Sequence, residues 1–457
     1  MIFDTITLIL GAAIIILAVL TSLLSPFRRA DVKTLRSFDV EKPNEDVLSP
    51  LHSESAPADR AETMRSLDVE APSDDLSTSQ HLNLSTSQPL TLLITVQQKQ
   101  AQMLERHLPQ FLSQDYAPGF EVVVVAEKGD SDTEDVLNRY AGNPLLYSTY
   151  IPDSSRYMSR KKLAITLGVK AAHNEWIVMT DAFCSPSGNH WLQAIASHIA
   201  DNTTDEANQA PHLSGESRGG SDEGSAATVG KDRGGYNLII GYCNYDDEAR
   251  PYYRFERLQQ ACYTMREARR GKAYRAMGCN VAFRKSEFIA GDGFRGNLEH
   301  TRGEYDFLVN KFSQRRSTAV ANEPDAWIID DAPTRHEWRS RHIYYMHTRK
   351  YLARSFRHRL LPFIDELALH LCFLAIIGIG VFAGLTSRWI LLGAAVVALV
   401  IAVCMRTSFA RKTVRAYGED IASWRLYPYE LSGIWHKLYQ HLRYWHADKA
   451  GFTSHKV

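Results

Sequence analysis

Apolar and polar positions along the middle of the chain follow two periods, one typical of strands and one typical of helices. Short apolar runs bounded by polar residues predict buried strands at 90–96, 121–125, 176–179, 238–242 and 280–284. Apolar residues at helical spacing predict helices at 100–113, 131–140, 161–172 and 254–269, and a further helix that starts near 305. Because strands and helices alternate at this spacing, the pattern predicts parallel βαβ units and an α/β fold.

Three longer apolar runs stand outside this alternation, at residues 5–24, 367–385 and 389–405. Each is long enough for an α-helix to cross a hydrocarbon layer of ~30 Å. We therefore predict an N-terminal transmembrane anchor and a C-terminal transmembrane hairpin. A cleaved signal peptide is the alternative for the first run, but its basic residues follow the run instead of preceding it.

Positive charges flank the apolar runs on one side of the predicted membrane. They are Arg28, Arg29, Lys33, Arg354, Arg357, Arg359, Arg406, Arg411, Lys412 and Arg415. Cytoplasmic flanks are enriched in Lys and Arg, so these charges place the domain between the runs in the cytoplasm. The N-terminus is then predicted to lie on the outer side.

The last part of the chain is rich in aromatic and basic residues. Ile434, Leu438, Leu442 and Trp445 recur at helical spacing and predict an amphipathic helix. Two interpretations of this helix stay open: it lies in the membrane interface, or it packs on the soluble domain.

Polar, repetitive sequence separates these parts. Residues 30–89 contain Leu-Ser-Thr-Ser-Gln twice, and residues 201–235 are dense in Gly, Ser, Asp and Glu. Such segments bury too little apolar surface to offset the entropy of an ordered chain, so we predict a disordered linker and a disordered insertion. The predicted organisation is an anchor at 1–29, the linker at 30–89, an α/β domain at 90–350 that contains the insertion, the hairpin at 351–415 and the aromatic-rich tail at 416–457.

Charge and cysteine content argue against two other classes of protein. Lys and Arg residues number 52, as do Asp and Glu residues, so there is no basic footprint and we predict no nucleic-acid partner. The six cysteines show no metal-ligand spacing, and they predict free thiols in a reducing compartment.

Candidate chemistry lies where two predicted strands end. The strand at 121–125 runs into Glu127, and the strand at 176–179 runs into Asp181. In open α/β sheets, ligands bind beyond the carboxyl ends of the strands. Carboxylates at two such ends predict a site for a nucleotide and a divalent cation.

Further motifs follow one another along the α/β domain. They are Gln114-Asp115-Tyr116, Ser159-Arg160-Lys161-Lys162-Leu163-Ala164, Thr180-Asp181-Ala182-Phe183-Cys184, Gly278-Cys279-Asn280 and Gly303-Glu304-Tyr305-Asp306. Over residues 90–350 this ordered set resembles family-2 glycosyltransferases of the GT-A fold, a Rossmann-like mixed sheet. The likeness is greatest to membrane-anchored bacterial members, in which the second acidic turn typically reads TDADC. The resemblance implies a multi-pass protein of the bacterial inner (cytoplasmic) membrane whose catalytic domain faces the cytoplasm.

The resemblance also implies an inverting transfer of a sugar from a nucleotide-diphosphate sugar. Glu127 matches the acid that holds the base or ribose of the nucleotide, and Lys161 or Lys162 would lie near the nucleotide or diphosphate. Asp181 matches the first acid of the DxD motif, which holds Mg²⁺ or Mn²⁺ on the diphosphate. Phe183 stands where the motif has its second acid, and a phenyl ring cannot ligate a metal.

The acceptor implied by the resemblance is a lipid-linked or surface-glycan precursor, with membrane lipid as a further partner. Glu304 or Asp306 matches the acid that supplies the general base for the acceptor hydroxyl. Residues two apart on a helix face different ways, so one of the two points at the acceptor, and we favour Glu304. Residues 336–341 occupy the place of the QxxRW motif of processive relatives without matching it. They line the acceptor site or form a basic approach to the membrane.

Phe183 keeps a second interpretation of the whole protein open. In it the domain is catalytically impaired and serves as a nucleotide-binding or scaffolding membrane protein. Hydrolysis of a nucleotide sugar by the purified protein separates the two interpretations.

Overall fold

The computed structural model describes residues 5–30, 88–152, 159–207, 236–313 and 317–453. Nearly all of the predicted linker at 30–89 and most of the predicted insertion at 201–235 lie outside the described residues. The helix that begins at Trp191 continues to Ala207, so the first part of the predicted insertion is helical.

The strands of the described residues form two sheets. Their bounds are β1 Leu90–Thr95, β2 Phe120–Glu127, β3 Leu146–Ile151, β4 Trp176–Asp181, β5 Cys184–Pro186, β6 Leu238–Gly241, β7 Cys243–Tyr245, β8 Val281–Arg284, β9 Thr318–Ala321 and β10 Ile328–Asp330. The larger sheet has seven strands in the order β3-β2-β1-β4-β8-β6-β9. Strands β3, β2, β1 and β4 are mutually parallel, whereas β8 is antiparallel to both β4 and β6. The predicted α/β class with a mixed sheet is confirmed.

The helices of the described residues connect these strands and extend beyond them. Their bounds are α1 Thr5–Leu23, α2 Ala101–Leu112, α3 Ser131–Arg139, α4 Arg160–Ala171, α5 Trp191–Ala207, α6 Pro251–Ala268, α7 Lys285–Ala290, α8 Glu304–Phe312, α9 Arg335–Thr348, α10 Ser355–Leu385, α11 Trp389–Ala416 and α12 Ser423–His446. The helices predicted from periodicity at 100–113, 131–140, 161–172 and 254–269 correspond to α2, α3, α4 and α6.

Helices cover both faces of the larger sheet. Leu93 and Val123 belong to a buried cluster with residues of α4 and α6, whereas Leu92 and Val122 belong to a second cluster with residues of α2 and α5. Successive side chains of a strand point to opposite faces, so a strand buried on both faces is a continuous apolar run. This is why β1, β2 and β4 were predictable. The edge strand β3 is only partly buried, and it lacks that run.

A small sheet of order β5-β10-β7 lies against the end of β4. The amide of Asp331 donates a hydrogen bond to the carbonyl oxygen of Phe183 at 3.0 Å, which joins the end of β10 to the turn after β4. None of the three strands exceeds three residues, and so none produces a periodic signal in the sequence. This sheet places Asp330 beside the predicted site.

Three helices of the described residues are long and apolar enough to cross a membrane. They are the segments Thr5–Leu23, His358–Leu385 and Trp389–Ala416. Ile14 and Ala18 of α1 pack in one buried cluster with Ile376 of α10 and Ala398 of α11. A Cβ atom at Gly11 would lie 3.1 Å from Ala394 Cβ, so α1 and α11 approach closely there, as small residues permit in membrane helices. The prediction of three candidate spans is confirmed.

One residue of the predicted basic flank, Arg406, is buried inside the protein. Its guanidinium is buried, with Nη2 2.6 Å from Asp365 Oδ1 and Nε 2.9 Å from Glu430 Oε2. Asp365 lies in α10 and Glu430 in α12, so Arg406 joins three helices instead of facing solvent. The flank prediction failed here because a buried arginine and an exposed one look alike until their partners are known.

Helix α12 shows features of both interpretations of the tail. Leu426 and Tyr427 are buried against the rest of the protein, so one face packs as a tertiary helix does. Trp435, Leu438 and Trp445 are exposed on another face, which matches the apolar side of an interfacial helix. The helix therefore attaches to the hairpin and still presents a large apolar surface.

Candidate active site

Asp181 forms the centre of a buried polar cluster at the carboxyl end of β4. Its Oδ1 accepts a hydrogen bond from Thr95 Oγ1 at 2.7 Å, and its Oδ2 lies 2.6 Å from Lys161 Nζ. Parallel pairing of β1 with β4 brings Thr95 level with Asp181. Burial alone would lower the pKa of Lys161, but Asp181 and Glu304 outweigh it and raise the pKa, so the lysine carries its charge.

Glu127 occupies the equivalent position at the end of β2. Its carboxylate is buried, and Oε2 lies 2.9 Å from Nε of Arg160, which starts α4. Arg160 and Lys161 are neighbours in the chain, so the start of α4 connects the two strand ends that the sequence predicted. Glu127 does not line the cavity that contains Asp181.

Lys162 lies elsewhere. Its Nζ donates to the carbonyl oxygen of Asn297 at 2.7 Å and to that of His300, away from Asp181. Burial lowers its pKa to about 8. Of the two lysines that the sequence left open, only Lys161 contacts Asp181.

Helix α8 supplies the late acidic residues. Gly303, with φ of 93°, precedes the helix and turns the chain so that Glu304 and Asp306 enter the cavity. Ser159 Oγ lies 3.3 Å from Glu304 Oε1, whereas Asp306 Oδ1 accepts from Arg275 Nε at 3.3 Å. Both carboxylates line the cavity, but they have different partners.

The cavity of about 250 Å³ brings most of the predicted residues together. It is lined by Lys161, Asp181, Phe183, Glu304 and Asp306, which are far apart in sequence. Burial raises the pKa of Asp306, and Arg275 only partly offsets this effect.

A second charged cluster, which the sequence did not predict, lies in the same cavity. Asp330 is buried at the end of β10, where Oδ2 lies 2.6 Å from Arg257 Nη1 and 2.7 Å from Arg341 Nη1. Burial alone would raise the pKa of Asp330, but Arg341 and Arg257 lower it. Arg341 belongs to the segment 336–341, and its side chain lines the cavity. Asp330 follows two isoleucines, an apolar run too short to predict a strand end.

Three buried side chains beside Arg257 are arranged like the ligands of a metal site. The ligand atoms of Cys243, Cys279 and Asp330 lie within 4.8 Å of one another. Arg257 Nη2 donates to Cys243 Sγ at 3.0 Å and its Nη1 pairs with Asp330, so a guanidinium already supplies the positive charge. All six cysteines are free thiols, as predicted.

Phe183 lies between two cations. Lys161 Nζ is 5.8 Å from the centroid of its ring, and the guanidinium carbon of Arg341 is 5.5 Å from it. An aromatic face attracts cations at such distances. The position that would hold the second DxD acid thus contacts two positive charges, which are suited to an anionic diphosphate.

The residues present fit a divalent metal only if Lys161 moves. Mg²⁺ requires oxygen ligands, and the DxD pattern supplies Asp181 alone in this chain. Both oxygens of Asp181 are engaged, one by Thr95 and one by the Lys161 ammonium. Lysine and arginine side chains are therefore the groups of this cavity that could balance the charge of a diphosphate.

A buried pair on the cavity wall predicts a pH-dependent stability. Glu256 Oε1 lies 3.1 Å from His342 Nε2. Burial alone would lower the pKa of His342, but Glu256 outweighs it and raises the pKa above 6.5. Because the folded pKa is raised, the stabilisation is fully present below pH 6.5 and is lost as the pH rises through the folded pKa.

We therefore expect His342→Gln to lower the midpoint of thermal unfolding most at about pH 6 and least at about pH 9. The matched control is His173→Gln, since His173 pairs with Glu121 but its side chain is 79% exposed. A gap between wild type and His342→Gln that stays constant over this range would contradict the assignment.

No protein-family model and no curated protein matches the sequence. Among solved structures, the chain is similar to mannosyltransferase PcManGT from Pyrobaculum calidifontis in complex with GDP-Man and Mn²⁺, with 17% identity and a TM-score of 0.40 over 72% of this chain and 86% of that chain. It is also similar to S. aureus TarS 1–349 in complex with UDP-GlcNAc, with 12% identity and a TM-score of 0.38 over 75% of this chain and 91% of that chain.

Proposed function

We propose that the chain is an inverting glycosyltransferase of the family-2, GT-A type. It moves a sugar from a nucleotide-diphosphate sugar to a lipid-linked or surface-glycan acceptor at the cytoplasmic face of a bacterial inner membrane. The observation that carries the proposal is the cluster of Lys161, Asp181 and Glu304 in one cavity beyond the carboxyl end of β4. Ligands of α/β sheets bind at such ends.

The donor would span the two strand ends. Glu127, which pairs with Arg160 at the end of β2, would bind the ribose or base of the nucleotide. The Lys161 ammonium and the Arg341 guanidinium on either side of Phe183 face the diphosphate. Positive groups placed where charge develops stabilise a leaving diphosphate.

The transfer would be a single displacement. Glu304 accepts the proton of the acceptor hydroxyl, and that oxygen forms a bond to the anomeric carbon of the sugar. The bond from the anomeric carbon to the diphosphate oxygen breaks on the opposite face, and its electron pair leaves with the nucleoside diphosphate. Asp306 holds Arg275 beside the acceptor end of the cavity.

Donor binding tests the proposal. We expect a panel of UDP-, GDP- and dTDP-sugars to contain one donor that the full chain binds and slowly hydrolyses. Asp181→Asn removes the carboxylate that positions the Lys161 ammonium in the cavity, and we expect the misplaced ammonium to weaken binding by about tenfold or more. Isothermal titration measures this, with Asp132→Asn in the exposed first turn of α3 as the control.

Two results of that experiment would overturn the proposal. One is that no donor binds or is hydrolysed. The other is that Asp181→Asn and Asp132→Asn behave alike. Either result would favour the alternative, a catalytically impaired domain that scaffolds other proteins at the membrane.

The predicted Mg²⁺ or Mn²⁺ is tested by removing it. Because Lys161 occupies Asp181, we expect EDTA to weaken donor binding by less than about tenfold. Phe183→Asp restores the second DxD acid, and we expect this variant to gain a dependence on Mn²⁺ that Phe183→Asn lacks. Loss of wild-type binding in EDTA, restored by Mn²⁺, would show instead that the ion displaces Lys161.

A further inference from the structure

A second, larger cavity adjoins the candidate active site. It encloses about 980 Å³ between the start of α10, the C-terminal half of α12, and parts of α6 and α9. We call it the α10–α12 groove. Glu256, Gln260, Thr264, Arg275 and Tyr345 line both this groove and the smaller cavity, so the two are continuous.

The outer walls of the groove are apolar and exposed. Its lining includes Phe356 (78% exposed), Leu360, Phe363, Leu438, Leu442 and Trp445 (69% exposed). An exposed apolar surface of this kind marks a binding site for an apolar partner. The first three residues lie at the start of α10, where the candidate membrane span begins at His358. The groove therefore lies next to the point at which the hairpin would enter a bilayer.

Each acid of the groove lies beside a basic side chain. Glu256 pairs with His342 at 3.1 Å, Glu267 lies 3.1 Å from His358, and Glu366 pairs with Lys437. None of these three carboxylates forms an ion pair with Arg349, Lys350 or Arg359.

Arg349, Lys350 and Arg359 have no ion-pair partner among the described residues. Arg349 Nη2 donates to His441 Nε2 at 2.8 Å, and Lys350 Nζ donates to the Tyr444 hydroxyl. Burial and the nearby Arg359 lower the pKa of Arg349, as expected for a cation that lacks a counter-charge. Unpaired guanidinium groups bind phosphate oxygens with strong, charge-assisted hydrogen bonds.

We propose that the α10–α12 groove binds the acceptor, a membrane lipid with a long apolar chain and a phosphate or diphosphate headgroup. The chain lies along the apolar walls from the bilayer, and the headgroup binds Arg349 and Arg359. A hydroxyl-bearing end beyond the phosphate then passes Arg275 and reaches Glu304 in the adjoining cavity. The assignment as acceptor rests on the proposed glycosyltransferase function, whereas binding of the lipid does not.

The test is lipid binding to the full chain in phosphatidylcholine nanodiscs, counted by native mass spectrometry. The probes are a polyprenyl monophosphate and the uncharged polyprenol of the same length. We expect the phosphate lipid to bind at least about tenfold more tightly than the alcohol, and Arg349→Gln or Arg359→Gln to remove this preference. Arg443→Gln, on α12 outside the groove, is the matched control and keeps it.

A test variant and a control variant on α12 examine the role of the apolar wall in lipid binding. Leu438→Gln changes a groove residue that is 53% exposed, and Trp435→Gln changes a residue of the same helix that is 63% exposed and outside the groove. We expect only Leu438→Gln to weaken binding of both lipids. Because both positions are exposed, neither variant is expected to unfold the helix.

Several outcomes would overturn the inference. Equal binding of the phosphate lipid and the alcohol, or full competition by inorganic phosphate alone, would do so. So would wild-type binding by both arginine variants. If lipid binding follows the expected pattern while no donor binds, the groove assignment stands and the glycosyltransferase proposal fails. The opposite pattern leaves the proposed function in place and removes the lipid acceptor.

Discussion

Replacing Glu304 with glutamine is expected to reduce sugar transfer by about 100- to 10,000-fold, the range typical of a lost general base. The amide cannot accept the proton of the acceptor hydroxyl at neutral pH. Donor binding should change little, because Lys161 keeps its direct contact with Asp181 at 2.6 Å. Transfer is measured with a radiolabelled donor in membranes, and donor binding with the purified protein.

The control for Glu304→Gln addresses a simpler role for the residue. Acidic residues in a first helical turn stabilise the helix through its dipole, and Glu304 occupies that turn in α8. Glu287 occupies the first turn of α7, so Glu287→Gln removes a comparable charge away from the cavity. A dipole role predicts similar small effects for the two variants, and a catalytic role predicts a large effect for Glu304 alone.

Asp306 provides the competing assignment. Asp306→Asn removes the partner of Arg275, so we expect it to lower thermal stability as well as transfer. If Asp306→Asn abolishes transfer with an intact fold while Glu304→Gln retains it, Asp306 is the base and the assignment to Glu304 is wrong.

Arg406→Ala is expected to destabilise the protein by about 3 to 5 kcal/mol, because it leaves two buried carboxylates without a counter-charge. Asp365 keeps only a hydrogen bond from Tyr263 at 2.7 Å, and Glu430 loses the ion pair with Arg406. The triad joins α10, α11 and α12, so the loss should also release α12. The expected results are a lower thermal midpoint in detergent and protease cleavage within residues 423–446.

Two further variants separate charge from packing at this triad. Arg411→Ala removes an exposed arginine of the same helix and should leave the thermal midpoint unchanged. Replacing Arg406, Asp365 and Glu430 together by Met, Leu and Leu removes all three charges, and such replacements are often neutral or stabilising. If Arg406→Ala and Arg411→Ala have equal effects, the triad does not stabilise the attachment of α12.

Some residues of the candidate site could be predicted from local sequence patterns, and others could not. Asp181 and Glu127 were predictable because each directly follows a buried strand, and a strand buried on both faces has a local apolar pattern. Asp330 was not, because β10 has three residues and depends on two other short strands for its hydrogen bonds. Nothing local distinguishes Lys161 from Lys162. Only the packing of α4 directs the first toward Asp181 and the second toward the carbonyl groups of Asn297 and His300.

The sequence by itself determined the α/β class, the three candidate membrane spans and the two acidic strand ends, because these depend on periodicity and length within single segments. Tertiary structure decided which charges meet. In the sequence, Arg406 is one of several cations that flank an apolar run, but in the fold it is buried between Asp365 and Glu430. No sequence pattern singles out Arg257, but in the fold it pairs with Asp330. The α10–α12 groove likewise exists only once α12 packs on the hairpin. Electrostatic partners and cavities join residues distant in sequence, and no local pattern records them.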